Sequence, residues 1–431
     1  MKVVAFLPVK GNSRRIENKN SKLLDGKPLF LHTLEKLVQY DFIDEVYLDS
    51  ESSMIFDLAS NIDCKLLKRD VALASNKTDG HALFFNEVSK VDADIYVQIL
   101  CTSPFIKKET IEKGINILKN HDEYDSVVLI KKDKQYLWKD HQPLYNKKHI
   151  PNSIDLPDTI VETMGLYIVK KKVAHEKRMR YGEKVYLLEA DPVEAIDINY
   201  SKDFELAAYI AAGMREKNTK LFKNLAQALS SPILSDILDD LNIKSVIKGL
   251  RLNIENKKIL GRAKTIKLRK LKDKEDYKGI YDALYSYETI VPNDIILVEN
   301  ECSEYAYFGD LNANLAIKAG AIGAIIGGKT RDYRNVKALD FPVFSYGQNC
   351  KDVRKRATLE SINKKITIEG VEILPGDLVF GDIDGVVVIP KKYEENILKK
   401  ALETLRKEKD VLLNTLLDQT PIEILERIGE F

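Results

Sequence analysis

From residue 3 to residue 9 the chain reads Val-Val-Ala-Phe-Leu-Pro-Val, without a polar side chain, and it turns abruptly basic at Lys10. Comparable apolar runs return at residues 45–49, 65–68, 95–100, 126–130, 165–169 and 185–188. Each is short and most are rich in β-branched or aromatic positions, which predicts strands. Between them, residues 29–39, 81–88 and 108–119 space their apolar side chains at helical intervals, which predicts amphipathic helices. Strands apolar at nearly every position are covered on both faces, so the alternation predicts a parallel, doubly wound α/β sheet. In such sheets ligands bind beyond the carboxyl ends of strands. The segment "PVKGNSRRIENKN" (8–20) stands at that position.

The texture changes in the middle of the chain. "DFELAAYIAAGMREKNTK" (203–220) reads as a helix fading into a polar run, and predicts a boundary between a domain at 1–216 and another at 222–431. Beyond it come a helix behind a Ser cap and a Pro, short strands with Gly-rich turns, and from Lys391 a charged helical extension. A length of 431 residues suits more than one domain. With 67 basic against 66 acidic residues, no global field draws the chain to nucleic acid or to a membrane. Anions would be held by local clusters only. The four cysteines form no CxxC pair, which suits a reducing compartment and argues against a structural zinc site. The opening apolar run is too short for a signal peptide or a membrane span. The expectation is a soluble, cytoplasmic, multidomain protein.

Four cations (Lys10, Arg14, Arg15 and Lys19) share the opening loop with Gly11, Ser13 and three asparagines. Backbone amides and cations at the mouth of a first strand can cradle a chain of phosphates. No Walker loop or GxGxxG fingerprint is present, and a basic turn standing alone is most often a solvated surface. The wider pattern says more. "LPVKGNSRRIENKN" with "KLLDGKPLFLHTLEKL", then "KRDVALASNKTD" (68–79), "LCTSPF" (100–105), "ETMGLYIVKKK" (162–172) and "AIDINYSKDFELA" (195–207) follow in order. As a group they resemble the CMP-sialic acid synthetase (acylneuraminate cytidylyltransferase) family over about residues 1–215. The resemblance implies a nucleotidyltransferase domain in which the anomeric hydroxyl of an acidic 2-oxo sugar attacks the α-phosphorus of CTP and pyrophosphate leaves. It implies that Lys10, Asn12, Ser13, Arg14, Lys19 and Asn20 hold the nucleotide, with Lys10 and Arg14 catalytic. It places Arg69 near the cytosine and ribose, and Mg²⁺ on Asp197. Two positions depart from the family. Its second metal carboxylate falls on Asn199, and its sugar-facing Gln falls on Leu100. Another acidic sugar or a phosphonate therefore stays open as acceptor.

In the second half, "SSPILSDILDDL", "ILGRAKTIKL", "VPNDIILVEN", "FGDLNANLAIKAGAIGAIIGGKTRD", "FPVFSYG" and "GVEILPGDLVFGDIDGVVVIP" follow in order. Together they resemble the 4-hydroxy-4-methyl-2-oxoglutarate aldolase family, whose fold is shared with the regulator of ribonuclease E activity, over about residues 222–405. The resemblance implies a second α/β domain with Arg331 as the catalytic contact to a 2-oxo group and Asp332 as a divalent-metal ligand. It implies a role for Asp310 through water, and backbone amides of Leu311 and Asn312 that hold the substrate carboxylate. All six histidines (32, 81, 121, 141, 149 and 175) lie in the first half. A metal in the second half would thus be carboxylate- and water-bound, which suits Mg²⁺ or Mn²⁺. Taken alone, an Arg-Asp dipeptide on a loop is usually a surface ion pair, and Gly327-Gly328 stands where the family has Asp-Gly. "GDIDGVVVIP" reads as a hairpin turning at Asp384-Gly385.

The expectation is a bifunctional enzyme: a cytidylyltransferase fused to a metal-dependent aldolase or lyase acting on 2-oxo acids, in surface glycan biosynthesis. Its partners would be small molecules, with no nucleic acid or membrane and with self-assembly into a homo-oligomer. The competing reading makes the second domain a non-catalytic oligomerisation or regulatory module.

Overall fold

The computed structural model describes residues 1–75, 78–416 and 420–428. Asn76 and Lys77 of the 68–79 motif, and the last residues of the second predicted domain, lie outside the described residues. The chain forms two compact units, Met1–Ala211 and Ala212–Phe431.

The first unit is built on β1 (Val3–Pro8), α1 (Leu29–Leu37), β2 (Glu45–Ser50), β3 (Lys65–Lys68), α2 (Gly80–Val88), β4 (Ile95–Ile99), α3 (Lys108–Asn120), β5 (Ser126–Asp133), β6 (Thr159–Lys170) and β7 (Val185–Glu189). The seven strands lie in the order β7-β5-β6-β4-β1-β2-β3. Cover on both faces explains why β1, in the middle of the sheet, is apolar throughout. Val3, Ala5 and Leu7 of β1 enter one core with Phe30 and Leu34 of α1 and Ile111 and Ile115 of α3. Val4 and Phe6 enter another, with Phe84 and Val88 of α2. Helices on both faces are what a doubly wound sheet requires. The expectation of a wholly parallel sheet needs one correction. β6 runs antiparallel to both neighbours, with Tyr167 opposite Gln98 on β4 and Val128 on β5. The chain reaches β6 from β5 without a crossover helix, only short strands and a 3₁₀ turn, and a return of that kind reverses direction.

The polar run at 215–220 does not end its helix. A single helix, α4 (Ser201–Ala228), continues through it, because Arg215 to Lys220 include no Gly or Pro and several good helix formers. The second unit adds α5 (Ser231–Asp240), β8 (Arg251–Leu252), β9 (Ile259–Lys270), β10 (Asp294–Asn300), α6 (Asp310–Ala319), β11 (Gly323–Gly327), α7 (Tyr333–Ala338), β12 (Val343–Ser345), β13 (Leu378–Gly381), β14 (Val386–Ile389) and α8 (Glu394–Leu416). Its main sheet runs β14-β13-β9-β10-β11-β12-β8, with β9 to β12 parallel and β13 antiparallel to β9. Here too successive residues serve opposite faces. Ile296 and Val298 of β10 pack with Ala313 and Ala316 of α6, while Ile295 and Leu297 pack with Phe344 and Val379. The segment around Asp384-Gly385 is a hairpin, β13 to β14, with Gly381 opposite Val386. Among the described residues no helix is long and apolar enough to cross a membrane.

Candidate active sites

The basic loop leaves β1 at the carboxyl edge of the sheet and is closed on itself. Asn20 Nδ2 donates to the Lys10 carbonyl at 2.8 Å, joining its two ends. Gly11 N–H donates to Glu51 Oε1 at 2.7 Å, just beyond β2. A side chain at Gly11 is excluded by space, since a Cβ there would meet Ser52 Cβ at 2.6 Å. Asn12 and Arg14 are exposed, and Ser13 and Lys10 half-buried.

The same loop is tied to the segment from Asp197 to Phe204. Buried Lys19 donates from Nζ to the Ile198 carbonyl at 2.5 Å. The Arg15 guanidinium lies over the Tyr200 ring and the Lys22 ammonium over Phe204. Ile198 N–H in turn donates to the Thr102 carbonyl at 2.9 Å, and Leu100 N–H to Gly165. The pieces matched in the first half thus meet at one place: the loop, the 100–105 turn, Gly165 and Asp197. Burial lowers the pKa of both Lys10 and Lys19; Glu51 opposes it at Lys10, and Cys101 and Asp197 oppose it at Lys19.

Arg69 sits beneath this surface. Its guanidinium, only 2% exposed, donates from Nη1 to Asp49 at 3.0 Å and from Nε and Nη2 to Glu51 at 3.1 and 2.9 Å. In this arrangement it fastens the ends of β2 and β3 to the loop. Sequence reasoning passed over Asp49, Glu51 and Asp203. Asp203 accepts from the amides of Asn199 and Tyr200 at 2.9 and 2.7 Å and so sets the turn that presents Asp197. The available signal was acidic residues closing an apolar strand at its carboxyl end, as in "VYLDSE".

At the implied metal position, Asn199 Nδ2 donates to Asp197 Oδ2 at 2.5 Å. The donor set is one carboxylate with an amide beside it, and Asp203 is engaged as a cap. Among the described residues, no group of three or more His, Cys, Asp or Glu gathers as a cage. Such oxygen donors, few and partly solvated, fit Mg²⁺ that keeps several waters and leans on substrate phosphates.

In the second unit, the Arg331-Asp332 pair follows β11 and meets the start of α6. Asp332 has left-handed backbone (φ 54°) and stands just before α7, with its side chain free of the helix end. Its Oδ2 accepts from Asp310 N–H at 3.4 Å and lies 3.6 Å from Arg331 Nε. Arg331 Nη1 is held by Asp352 at 2.9 Å, a partner sequence reasoning missed. Asn335 Nδ2 donates to Asp310 Oδ2 at 3.1 Å, and this bond holds the Asp310 carboxyl below its usual range. Leu311 and Asn312 fall in the first turn of α6, where backbone amides lack intrahelical acceptors. Beside Arg331 opens a cavity of about 160 Å³ lined by Arg251, Asn253, Thr330, Tyr333 and Ser345. The structure thus brings together Asp310, Leu311, Asn312, Arg331 and Asp332. The hard oxygens of Asp310 and Asp332 fit Mg²⁺ or Mn²⁺.

A doubly wound sheet with a cationic loop at its strand ends defines a nucleotidyltransferase-type domain, joined here to a second mixed α/β domain. Comparison with known proteins finds a family match in each. Residues 4–194 match the cytidylyltransferase family and residues 231–388 the Aldolase/RraA family. A putative 4-hydroxy-4-methyl-2-oxoglutarate aldolase of Halalkalibacterium halodurans is 36% identical over 178 residues, 41% of this chain and 79% of that protein. An N-acylneuraminate cytidylyltransferase of Escherichia coli is 23% identical over 237 residues, 52% of this chain and 55% of that protein. A CMP-N,N'-diacetyllegionaminic acid synthase of Legionella pneumophila is 31% identical over 125 residues, 28% of this chain and 54% of that protein. The chain thus spans about half the length of these two cytidylyltransferase relatives. It belongs to the Aldolase/RraA family through its second unit, and its first unit is similar to cytidylyltransferases over residues 4–194.

Proposed function

We propose that the first unit transfers CMP from CTP to an acidic 2-oxo sugar of the sialic-acid type and releases pyrophosphate. The second unit is a metal-dependent aldolase or lyase for 2-oxo acids, and both serve surface glycan synthesis in the cytoplasm. The observation that carries the reading is the junction of Lys19 with Ile198, which sets the cationic loop against Asp197. Lys10, Arg14 and Lys19 bind and orient the triphosphate there, and Asn12, Ser13 and Asn20 supply further hydrogen bonds to phosphate and sugar. Attack on phosphorus needs alignment and charge neutralisation more than covalent help.

When bound, Mg²⁺ on Asp197 would neutralise phosphate charge, and Mg²⁺ or Mn²⁺ on Asp332 would polarise the 2-oxo group. In the second unit Arg331 faces that 2-oxo oxygen with a planar fork and stabilises the enolate left by carbon–carbon cleavage. The first-turn amides of Leu311 and Asn312 hold the carboxylate. Self-association is supported by exposed large apolar side chains on β6 and in the segment between β5 and β6, among them Trp138, Leu144, Ile150 and Ile160.

The test is pyrophosphate release from CTP with a panel of acidic sugars and phosphonates, beside pyruvate release from 4-hydroxy-2-oxo acids. Lys10→Ala or Arg14→Ala should cost about 2–4 kcal/mol in the transition state of the first reaction. Asp332→Ala should abolish the second and spare the first. Normal CTP turnover in both loop variants would remove the loop assignment. No pyruvate from the metal-loaded wild type across the panel would leave the second unit as a regulatory module.

A further inference from the structure

Behind the nucleotide loop, on the α2 side of the first sheet, lie two carboxyl groups fully out of solvent: Asp49 at the end of β2 and Glu87 on α2. Asp49 Oδ2 accepts from Arg69, and Glu87 Oε2 accepts from Gln98 Nε2 at 2.5 Å. The remaining oxygens, Asp49 Oδ1 and Glu87 Oε1, are buried with no donor in reach, and the two carboxyl groups are close enough to act on one another. Two ionised carboxylates cannot share a dry contact of that kind, whereas one proton between them satisfies both orphaned oxygens.

We propose that Glu87 is kept as a neutral carboxylic acid donating to Asp49, and that it is a positioning residue for the nucleotide loop, acting through Arg69 and Glu51 on Gly11. This rests on the cytidylyltransferase reading of the first unit. The proton sits on Glu87 because Asp49 has the Arg69 guanidinium in contact, while Glu87 meets the neutral Gln98 amide. The connection then runs without a gap. Asp49 holds Nη1 of Arg69, Arg69 grips Glu51 with Nε and Nη2, and the other Glu51 oxygen receives the Gly11 amide beside Lys10.

Burial, with Asp49 adding to it, pushes the Glu87 carboxyl well above its usual range. The charged groups facing the pair are Arg69 and Lys90 on the Asp49 side and Arg180 on the Glu87 side. The stabilisation from the protonated acid is full below the ordinary carboxylate pKa and is lost as pH rises through the raised one. Ionisation of Glu87 would set a second anion against Asp49, compete for Arg69 and loosen Glu51 from Gly11.

The experiment uses the full chain, with CTP as the probe, by calorimetric titration from neutral to alkaline pH. Glu87→Gln keeps the shape, a donor for Asp49 and an acceptor for Gln98, but carries no titratable proton. It should bind CTP within about twofold of wild type at neutral pH, whereas Glu87→Ala should weaken binding about tenfold, the scale of one lost charge-assisted hydrogen bond. Lys10 and Lys19 titrate in every variant alike, so a shallower alkaline decline in Glu87→Gln than in wild type isolates Glu87. Isotope-edited infrared spectra should show a protonated carboxylic acid band in wild type that Glu87→Gln lacks. A parallel decline in both proteins, or loss of CTP in Glu87→Gln as severe as in Glu87→Ala, overturns the proposal. Wild type that binds no CTP at neutral pH overturns the cytidylyltransferase reading and the positioning role with it. The infrared band still decides the shared proton in that case.

Discussion

The sharpest probe of the second unit is Gly309→Ala. Gly309 precedes α6 with extended backbone (φ −144°, ψ −164°), so alanine meets no conformational penalty there. The difficulty is space. A Cβ at 309 would lie 2.5 Å from Asp332 Oδ2, 3.2 Å from Arg331 Cγ and 3.4 Å from Arg331 Nε. Relief requires the Asp332 carboxylate to retreat by about 1 Å, since carbon–oxygen contacts become comfortable only near 3.4 Å. The clashing atom is the tip of a partly exposed side chain, so rotation resolves it for about 1 kcal/mol or less of stability. Function is less forgiving, because a misplacement of about 1 Å in a reacting constellation costs roughly a hundredfold in rate, or about 2.7 kcal/mol. The expected result is therefore a pyruvate-releasing turnover down about a hundredfold at saturating Mg²⁺ or Mn²⁺. The melting temperature should barely move, and CTP binding should be unchanged. The assay is coupled pyruvate detection, with differential scanning calorimetry and CTP titration on the same preparations. Wild-type lyase activity in Gly309→Ala would refute the role given to Asp332. Loss of activity together with several kcal/mol of stability would refute the argument that only the side chain yields.

Three further outcomes are expected. Asn199→Asp should lower the Mg²⁺ concentration for half-maximal cytidylyl transfer, because it replaces an amide donor against Asp197 with a second carboxylate; an unchanged requirement would mean the metal is held elsewhere. Residues 1–216 should be soluble and bind CTP, since the buried contacts of α4 up to Ala211 belong to the first core and those from Phe222 to the second; aggregation of the fragment would make the second unit part of its core or oligomer. CTP affinity should fall at alkaline pH below the ordinary lysine range, as burial lowers the pKa of Lys10 and Lys19 and the cationic forms do the binding; an affinity flat to the ordinary lysine pKa would remove these amines from the site.

What the sequence by itself determined is local in origin. Residues 3–8 are apolar at every position, and a strand so composed has to be covered on both faces, which dictates a layered α/β unit. The polarity break at Lys10 marks the carboxyl end of that strand, and the ordered motifs single out the candidate residues of both sites. The direction of β6 was not legible, because "GLYIV" reads the same in a parallel or an antiparallel neighbour, and only the route of the preceding chain decides it. Nor was the continuity of α4, where polar composition suggested an end although nothing in it breaks a helix. Nothing in the helical spacing of residues 81–88 marks Glu87. It is buried because α2 packs that face onto Asp49 and Gln98, which two different strands bring together. Asp352 on Arg331 and Gly309 against Asp332 belong to the same class. Residue type and spacing announce which groups can do chemistry, since those are properties of the chain. Which of them are desolvated, paired or held at contact distance depends on long-range packing, and only the tertiary structure decided it.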